Sequence, residues 1–417
     1  MWLNKALRAA TTLRRTLGDS WAVALGLMAH YLFTALTLIA LARRLTPDEY
    51  GQYVASVALA SFLVALPNYG LDTWLLGRGG DQAGAVAALW RKALALRAAL
   101  LMAWAAGMAL LAIRLPPETY PRPVFAGIVA GTALESLALL TLTALRAMQA
   151  HRRVALIQAI WAALALGTAL LLPLAPGRLA LFTTVRAILA GGVALWLALA
   201  MARRPAATGL SLSMGDLLRQ GQSFLLSDAA ALVYMRADLV LVGLLLGPAG
   251  ASIYGPALSV LNVALIVPTS LFYTAVPSLA QAFVRDATSP GAHSFGAQAR
   301  RQLALQTGLG VVIGLGLWGA APVLVWLYGP AFVATVGVLR LLAPIGLLRS
   351  LNYALAAQLI ARQRQARRTL TQMAVAVFAV VGNLLVIPEW GVAGAAFIFV
   401  AGETLLCLGY FLNNRTY

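Results

Sequence analysis

Charge is scarce in this chain: 11% of its 417 residues are Asp, Glu, Lys or Arg, and 61% are hydrophobic. A soluble globular domain carries roughly a quarter charged residues, so that class is excluded and an integral membrane protein is indicated. Cysteine is nearly absent. The single Cys407 leaves no disulfide framework and no thiolate metal site, and the three histidines, at 30, 151 and 293, are too scattered to suggest a ligand cluster. Lysine is almost missing too: Lys5 and Lys92 are the only two, and neither follows a glycine. There is no P-loop and hence no built-in ATPase. The stretch "GLGLWG" at 314–319 matches the spacing of a dinucleotide loop, but no strand pattern precedes it. Small-residue packing between membrane helices accounts for it better.

Long apolar runs fill the chain instead. Twelve spans of about 18 residues or more are expected, the first at about 20–41, the second at 50–71, the seventh at 223–246, the eighth at 253–283 and the last at 392–412. Unbroken runs rich in Leu, Ala, Val and Gly point to helices, whereas a β-barrel would alternate in segments of about ten residues. The first run exceeds the usual 7–15 residues of a secretory signal, roughly, and Arg43 and Arg44 follow it, so it is read as a membrane helix.

The formal charge of +18 would suggest nucleic acid in a soluble chain. Here its placement is a topology signal. With the N-terminus inside, the inner segments hold most of the Lys and Arg, among them Lys5, Arg91, Arg152, Arg203, Arg300, Arg362 and Arg415; the outer ones hold only Arg43, Arg44, Arg114, Arg122, Arg178 and Arg340. Both termini are therefore expected in the cytoplasm. Arg43 and Arg44 run against the rule, which makes the first hairpin the weakest part of that topology.

An internal repeat organises the spans. Leu45, Pro47, Tyr53 and Pro67 each recur 201 positions later as Leu246, Pro248, Tyr254 and Pro268. "RRVALIQAIWAALALGTALLLP" (152–173) and "RRTLTQMAVAVFAVVGNLLVIP" (367–388) share Arg-Arg, Gly and Pro at an offset of 215, so an insertion is expected around 327–340. Each half then holds six spans, giving an N-terminal lobe at 1–206 and a C-terminal lobe at 207–417. An even number of spans per half implies a pseudo-two-fold axis along the membrane normal and an inter-lobe cavity opening to one side at a time.

The segments "RRLTPDEYGQY", "YMRADLVLVGLLLGPAGASIY", "LYGPAFVATVGVLRLLAP" and "GNLLVIPEWGVAGAAFI" resemble those of bacterial polysaccharide and O-antigen repeat-unit flippases. That family lies in the superfamily that also holds the multidrug and toxin extrusion (MATE) antiporters and the lipid II flippases. The resemblance implies an all-α, MATE-like membrane fold in the bacterial inner membrane. It also implies translocation of an undecaprenyl-pyrophosphate-linked oligosaccharide to the periplasmic leaflet, without catalysis or a cofactor. The implied partners are that lipid-linked substrate, the bilayer and other polysaccharide-assembly membrane proteins, with no nucleic acid.

Charges inside the spans are the candidate site. Arg236 lies near the middle of its helix, where a charge facing lipid costs several kcal/mol, so it should face a cavity or a partner. Arg236, Arg349 and Arg186 are candidates for compensating a pyrophosphate, since the guanidinium stays protonated and grips phosphate oxygens in pairs. Neutralisation by intramembrane acids is the competing role. Asp228, Asp238 and Glu135 are either such counter-ions or sites of proton or sodium coupling. Asp238, two residues from Arg236, points to the opposite side of a helix, while Asp228 lies within about 80° and roughly 12 Å. A cation-coupled drug antiporter would favour a cavity of acids and aromatics; a membrane-embedded polymerase or glycosyltransferase would want a sizeable outer loop, and the outer segments here are under about 20 residues.

Overall fold

The computed structural model describes residues 26, 28–77, 83–173, 177–204, 213–288 and 294–415, and within them leaves aside the side chains of 77, 83, 84, 223, 224, 226–231 and 287. The basic segment 5–15, the start of the first span and the 206/207 junction lie outside the described residues. The helices are α1 (28–44), α2 (Pro47–Leu63), α3 (Ala65–Asn68), α4 (Leu71–Gly77), α5 (Ala83–Arg114), α6 (Arg122–Ala147), α7 (His151–Leu171) and α8 (Leu179–Ala202). They continue as α9 (Met214–Ala264), α10 (Ile266–Thr288), α11 (Ser294–Ala320), α12 (Val323–Tyr328), a 3-10 turn at Pro330–Phe332, α13 (Ala334–Leu342), α14 (Ile345–Ala361) and α15 (Gln365–Arg415). Among the described residues the fold is all-α, and nine stretches are long and apolar enough to cross a membrane.

Two of the longest helices are each a pair of spans. Gly247 (φ 66°, ψ −155°) breaks α9, and Gly391 (φ 57°, ψ −142°) breaks α15. Side chains essentially exclude that backbone region, so glycine is what allows a membrane hairpin to turn there within one residue. The expected loops near 247–252 and 389–391 thus shrink to single hinges.

The repeat reappears in the breaks. Helix α2 is capped at Val64 and α9 at Leu265, 201 positions apart, and Pro67 and Pro268 follow each cap by three residues. The cause is shared: neither proline can donate a hydrogen bond to the carbonyl four residues earlier, Leu63 or Ala264. Val54 and its repeat mate Gly255 lie against each other, as residues beside a two-fold axis do; a Cβ built on Gly255 would stand 3.6 Å from the Cβ of Val54. Later in each half, α6 and α14 end in the same cap. Gln149 (φ 62°) and Gln363 (φ 58°) are left-handed, and the next amide donates back to Leu145 O (2.9 Å) and Leu359 O (2.8 Å) respectively. Helix α12 and the 3-10 turn occupy the second-half position of the plain turn 115–121, which is where the insertion was expected.

The apolar core is shared at one end and divided at the other. Around Thr46, one cluster unites first-half residues such as Leu41, Tyr50, Ala55 and Phe125 with second-half residues such as Val242, Tyr254, Tyr328 and Leu342. Toward Gln149 the core separates: one cluster covers α4 to α8 with Leu217 from the start of α9, and two others join α10, α11, α14 and α15. Among the described residues the core thus joins the halves at the Thr46 end and divides between them toward the Gln149 end, where the start of α9 still packs on the first half. Glycines in α11 serve that packing, since Gly310 and Gly314 lie close against Gly346 and Ala343.

Arginine does a second job beside topology. Arg44 Nη1 donates to Ala169 O (2.8 Å) and Leu172 O (3.0 Å) at the end of α7, and Arg91 Nη2 donates to Ala202 O (2.8 Å) at the end of α8. Arg362 and Arg364 reach Asn414 O (2.7 Å) and Asn413 O (2.9 Å) at the end of α15. Arg43 donates from Nε to Leu327 O (2.7 Å) and from Nη2 to Trp326 O, in the last turn of α12. Terminal carbonyls lack helical partners and carry the negative end of the dipole, and one guanidinium can satisfy two of them. The pair that breaks the positive-inside pattern is held by these carbonyls.

Candidate substrate site between the halves

Helix α9 carries most of the candidate site, and its period sorts the side chains. Asp238 is buried and accepts from Tyr254 Oη at 2.7 Å, a bond that ties the two arms of α9 across the Gly247 hinge. Its second oxygen meets no partner among the described residues. Arg236, on the opposite side as the two-residue spacing requires, is exposed and makes no hydrogen bond or ion pair with a described residue.

The direction of Arg236 follows from its register. Gly243 and Gly247, seven and eleven residues on, fall within about 20° of the same face. Both pack on the first half: a Cβ on Gly243 would stand 3.0 Å from Ala55 Cβ, and one on Gly247 3.2 Å from Thr119 Oγ1. Fifteen residues earlier, Gly221 abuts Tyr69, and Gln220 Oε1 accepts from Trp74 Nε1 at 3.0 Å. Arg236 therefore stands between two places where α9 touches the first half, about 10 Å from the upper and about 22 Å from the lower. Arg236 is thus an exposed guanidinium on a face of α9 that packs on the first half further along the helix.

Arg349 is built differently. It is buried on α14, donates from Nε to Glu403 Oε1 at 2.7 Å and from Nη2 to the same oxygen. Asn352 Nδ2 completes the acid's shell with bonds to Glu403 Oε2 (2.7 Å) and Glu403 O (3.0 Å), and the guanidinium lies over Phe399 (5.1 Å) and Tyr234 (5.9 Å). This is an internally neutralised pair joining α14 to α15. Removing one partner strands a buried charge at a cost of about 3–5 kcal/mol, while removing both is far milder. Glu403→Gln is accordingly expected to cut the yield of folded protein and its thermal stability, and Arg349→Met with Glu403→Gln to recover most of both; a stable single variant in a thermal-unfolding assay would contradict the pairing.

The first half holds two further polar groups. Arg186 on α8 lines a crevice of about 10 Å³ with Trp161, Leu164 and Leu189, room for no more than about one water. Glu135 and Arg186 both lie within electrostatic reach of His30 on α1. Asp72 forms a 2.6 Å ion pair with the fully buried Arg97, which also donates to Asn68 O (2.8 Å) and Ser136 O (3.3 Å). Arg97 is thus a network centre at the α3/α4 break. The structure does not bring Arg186, Arg236 and Arg349 to one place. The side chain of Asp228 lies outside the described residues, although its helix is described.

Residues 40–287 match the family model for polysaccharide biosynthesis proteins. The chain belongs to that family. No curated protein sequence matches it. Among solved structures, it is similar to an inward-facing multidrug resistance MATE transporter of the MOP superfamily (TM-score 0.69, 14% identity, 94% of each chain). It is also similar to the lipid II flippase MurJ in an inward closed conformation (TM-score 0.70, 10% identity, 94% of this chain and 87% of that one). A MOP superfamily transporter from Pyrococcus furiosus, whose binding pocket has reverse polarity, aligns at a TM-score of 0.63 and 13% identity over 95% of this chain and 93% of that one. At these identities the likeness establishes the fold, that of a multi-pass MATE-like membrane protein.

Proposed function

We propose that this protein flips an undecaprenyl-pyrophosphate-linked oligosaccharide from the cytoplasmic to the periplasmic leaflet of the bacterial inner membrane by alternating access. Lobes 1–206 and 207–417 are the moving bodies, both termini are cytoplasmic, and the Thr46 end is periplasmic. What supports the reading is Arg236, exposed on α9 without a hydrogen bond or ion pair to a described residue, which on this reading faces the space between the lobes near mid-membrane. A charge so placed is costly unless an anion visits it. Pyrophosphate is the anion that the family's biosynthetic role supplies.

Arg349 and Arg186 serve the substrate less directly in this scheme, the first by holding α14 to α15 through Glu403 and the second from the α7–α8 crevice. Asp238, buried with one oxygen lacking a described partner and bonded to Tyr254 across the hinge, is the best placed of Asp228, Asp238 and Glu135 for proton or sodium coupling. Coupling is not required, because an inside-negative potential favours outward movement of an anion by about 2.3 kcal/mol per charge per 100 mV. No bond is made or broken, so no catalytic residue is assigned. Other polysaccharide-assembly membrane proteins would supply and consume the lipid-linked sugar.

Reconstitution tests the reading. Proteoliposomes loaded with the host's lipid-linked oligosaccharide should show sugar becoming accessible to an impermeant glycosidase faster than empty liposomes. Exchange of a cationic dye against protons, with no gain in sugar accessibility, would favour a drug antiporter and overturn it.

A further inference from the structure

We infer that the second-half insertion, α12 with the 3-10 turn, is a latch that holds the two halves together at the Thr46 end, with Arg43 of α1 as its catch. The inference is independent of what is carried. Arg43 reaches from the first half to the carbonyls of Trp326 and Leu327, so the latch grips the backbone end of α12 rather than a side chain. Beside it, three rings lock edge to face across the same seam: Tyr50 of α2 with Tyr328 (6.4 Å) and with Phe332 (5.4 Å). All three rings are buried.

The seam is balanced rather than welded. Tyr50 Oη and Tyr120 Oη are buried there without a hydrogen-bond partner among the described residues, and a stranded hydroxyl favours opening to water. The central contact beneath is nearly all small or apolar, with Gly51 against Pro248, Gly243 against Ala55 and Gly255 against Val54. Such surfaces separate without breaking polar bonds. The charge-assisted bonds of Arg43 are then the main polar hold on the sealed state, and their loss should release it. Arg340, on α13, instead stacks on Trp318 at 5.0 Å within the second half and makes no hydrogen bond or ion pair across the seam among the described residues.

The test reads burial of Val54 by thiol labelling in nanodiscs, where a polar maleimide reaches both faces and membrane orientation does not matter. In a Cys407→Ser background, Val54→Cys should label slowly. Adding Arg43→Ala or Phe332→Ala should speed labelling by about tenfold or more, a shift of about 1.4 kcal/mol, with Arg43→Lys in between and Arg340→Ala without effect. Should Arg43→Ala fail to fold, Phe332→Ala and Arg43→Lys still loosen the same seam and report on it through the same labelling rate. Val54→Cys remaining protected in the folded latch variants would overturn the inference, and so would equal acceleration by Arg340→Ala.

Discussion

In a Cys407→Ser background, Val54→Cys with Gly255→Cys should form a disulfide on mild oxidation, stop translocation, and regain it on reduction. The geometry is favourable before any movement. The two Cβ positions stand 3.6 Å apart, inside the disulfide range of about 3.5–4.5 Å. Replacing valine also removes the Cγ atoms that would crowd the new side chain at 2.7 and 3.3 Å. Since the pair sits where the shared core joins the halves, the bond forbids opening at the Thr46 end while leaving the other end free. Flipping in the oxidised double variant should fall below about a tenth of that in either single variant, because alternating access needs both openings. Continued full-rate flipping by protein shown to be crosslinked would mean that the halves never part there, and the rocking scheme would fail with it.

Much of this fold could be read from punctuation. Pro47, Pro67, Pro248 and Pro268 read in the sequence as marks of the repeat, and in the structure each stands at, or within three residues of, a helix start or break, since proline lacks a donor. Helical period likewise separated Arg236 from Asp238, and the structure places the first exposed and the second buried against Tyr254. Partners distant in sequence could not be read this way. Arg43 reads as a violation of the positive-inside rule until the carbonyls of α12, 283 and 284 residues away, are folded beside it. The pairing of Glu403 with Arg349 crosses 54 residues and joins two helices, and no local rule links them. Arginine's near-monopoly over lysine was the missed signal, for a planar fork suits paired carbonyls where an ammonium serves mainly as a point charge.

Arg236→Ala should leave the protein folded and monodisperse yet reduce flipping of the lipid-linked oligosaccharide by about a hundredfold, the scale of a lost bidentate charge-assisted contact to phosphate. Folding should survive because the residue is exposed and supports no described neighbour. Arg236→Lys keeps the charge but loses the fork, so it should recover part of the rate and no more. The competing role is charge balance with Asp228, within about 80° on the same helix and roughly 12 Å along it. On that view the uncompensated charge is the harmful state, and Asp228→Asn with Arg236→Gln should restore both folding and flipping. On the phosphate view the double variant folds and stays inactive, because neutrality is repaired while the anion's partner is still missing. Measured in the same proteoliposomes, near-normal flipping by Asp228→Asn with Arg236→Gln would return Arg236 to a purely structural role.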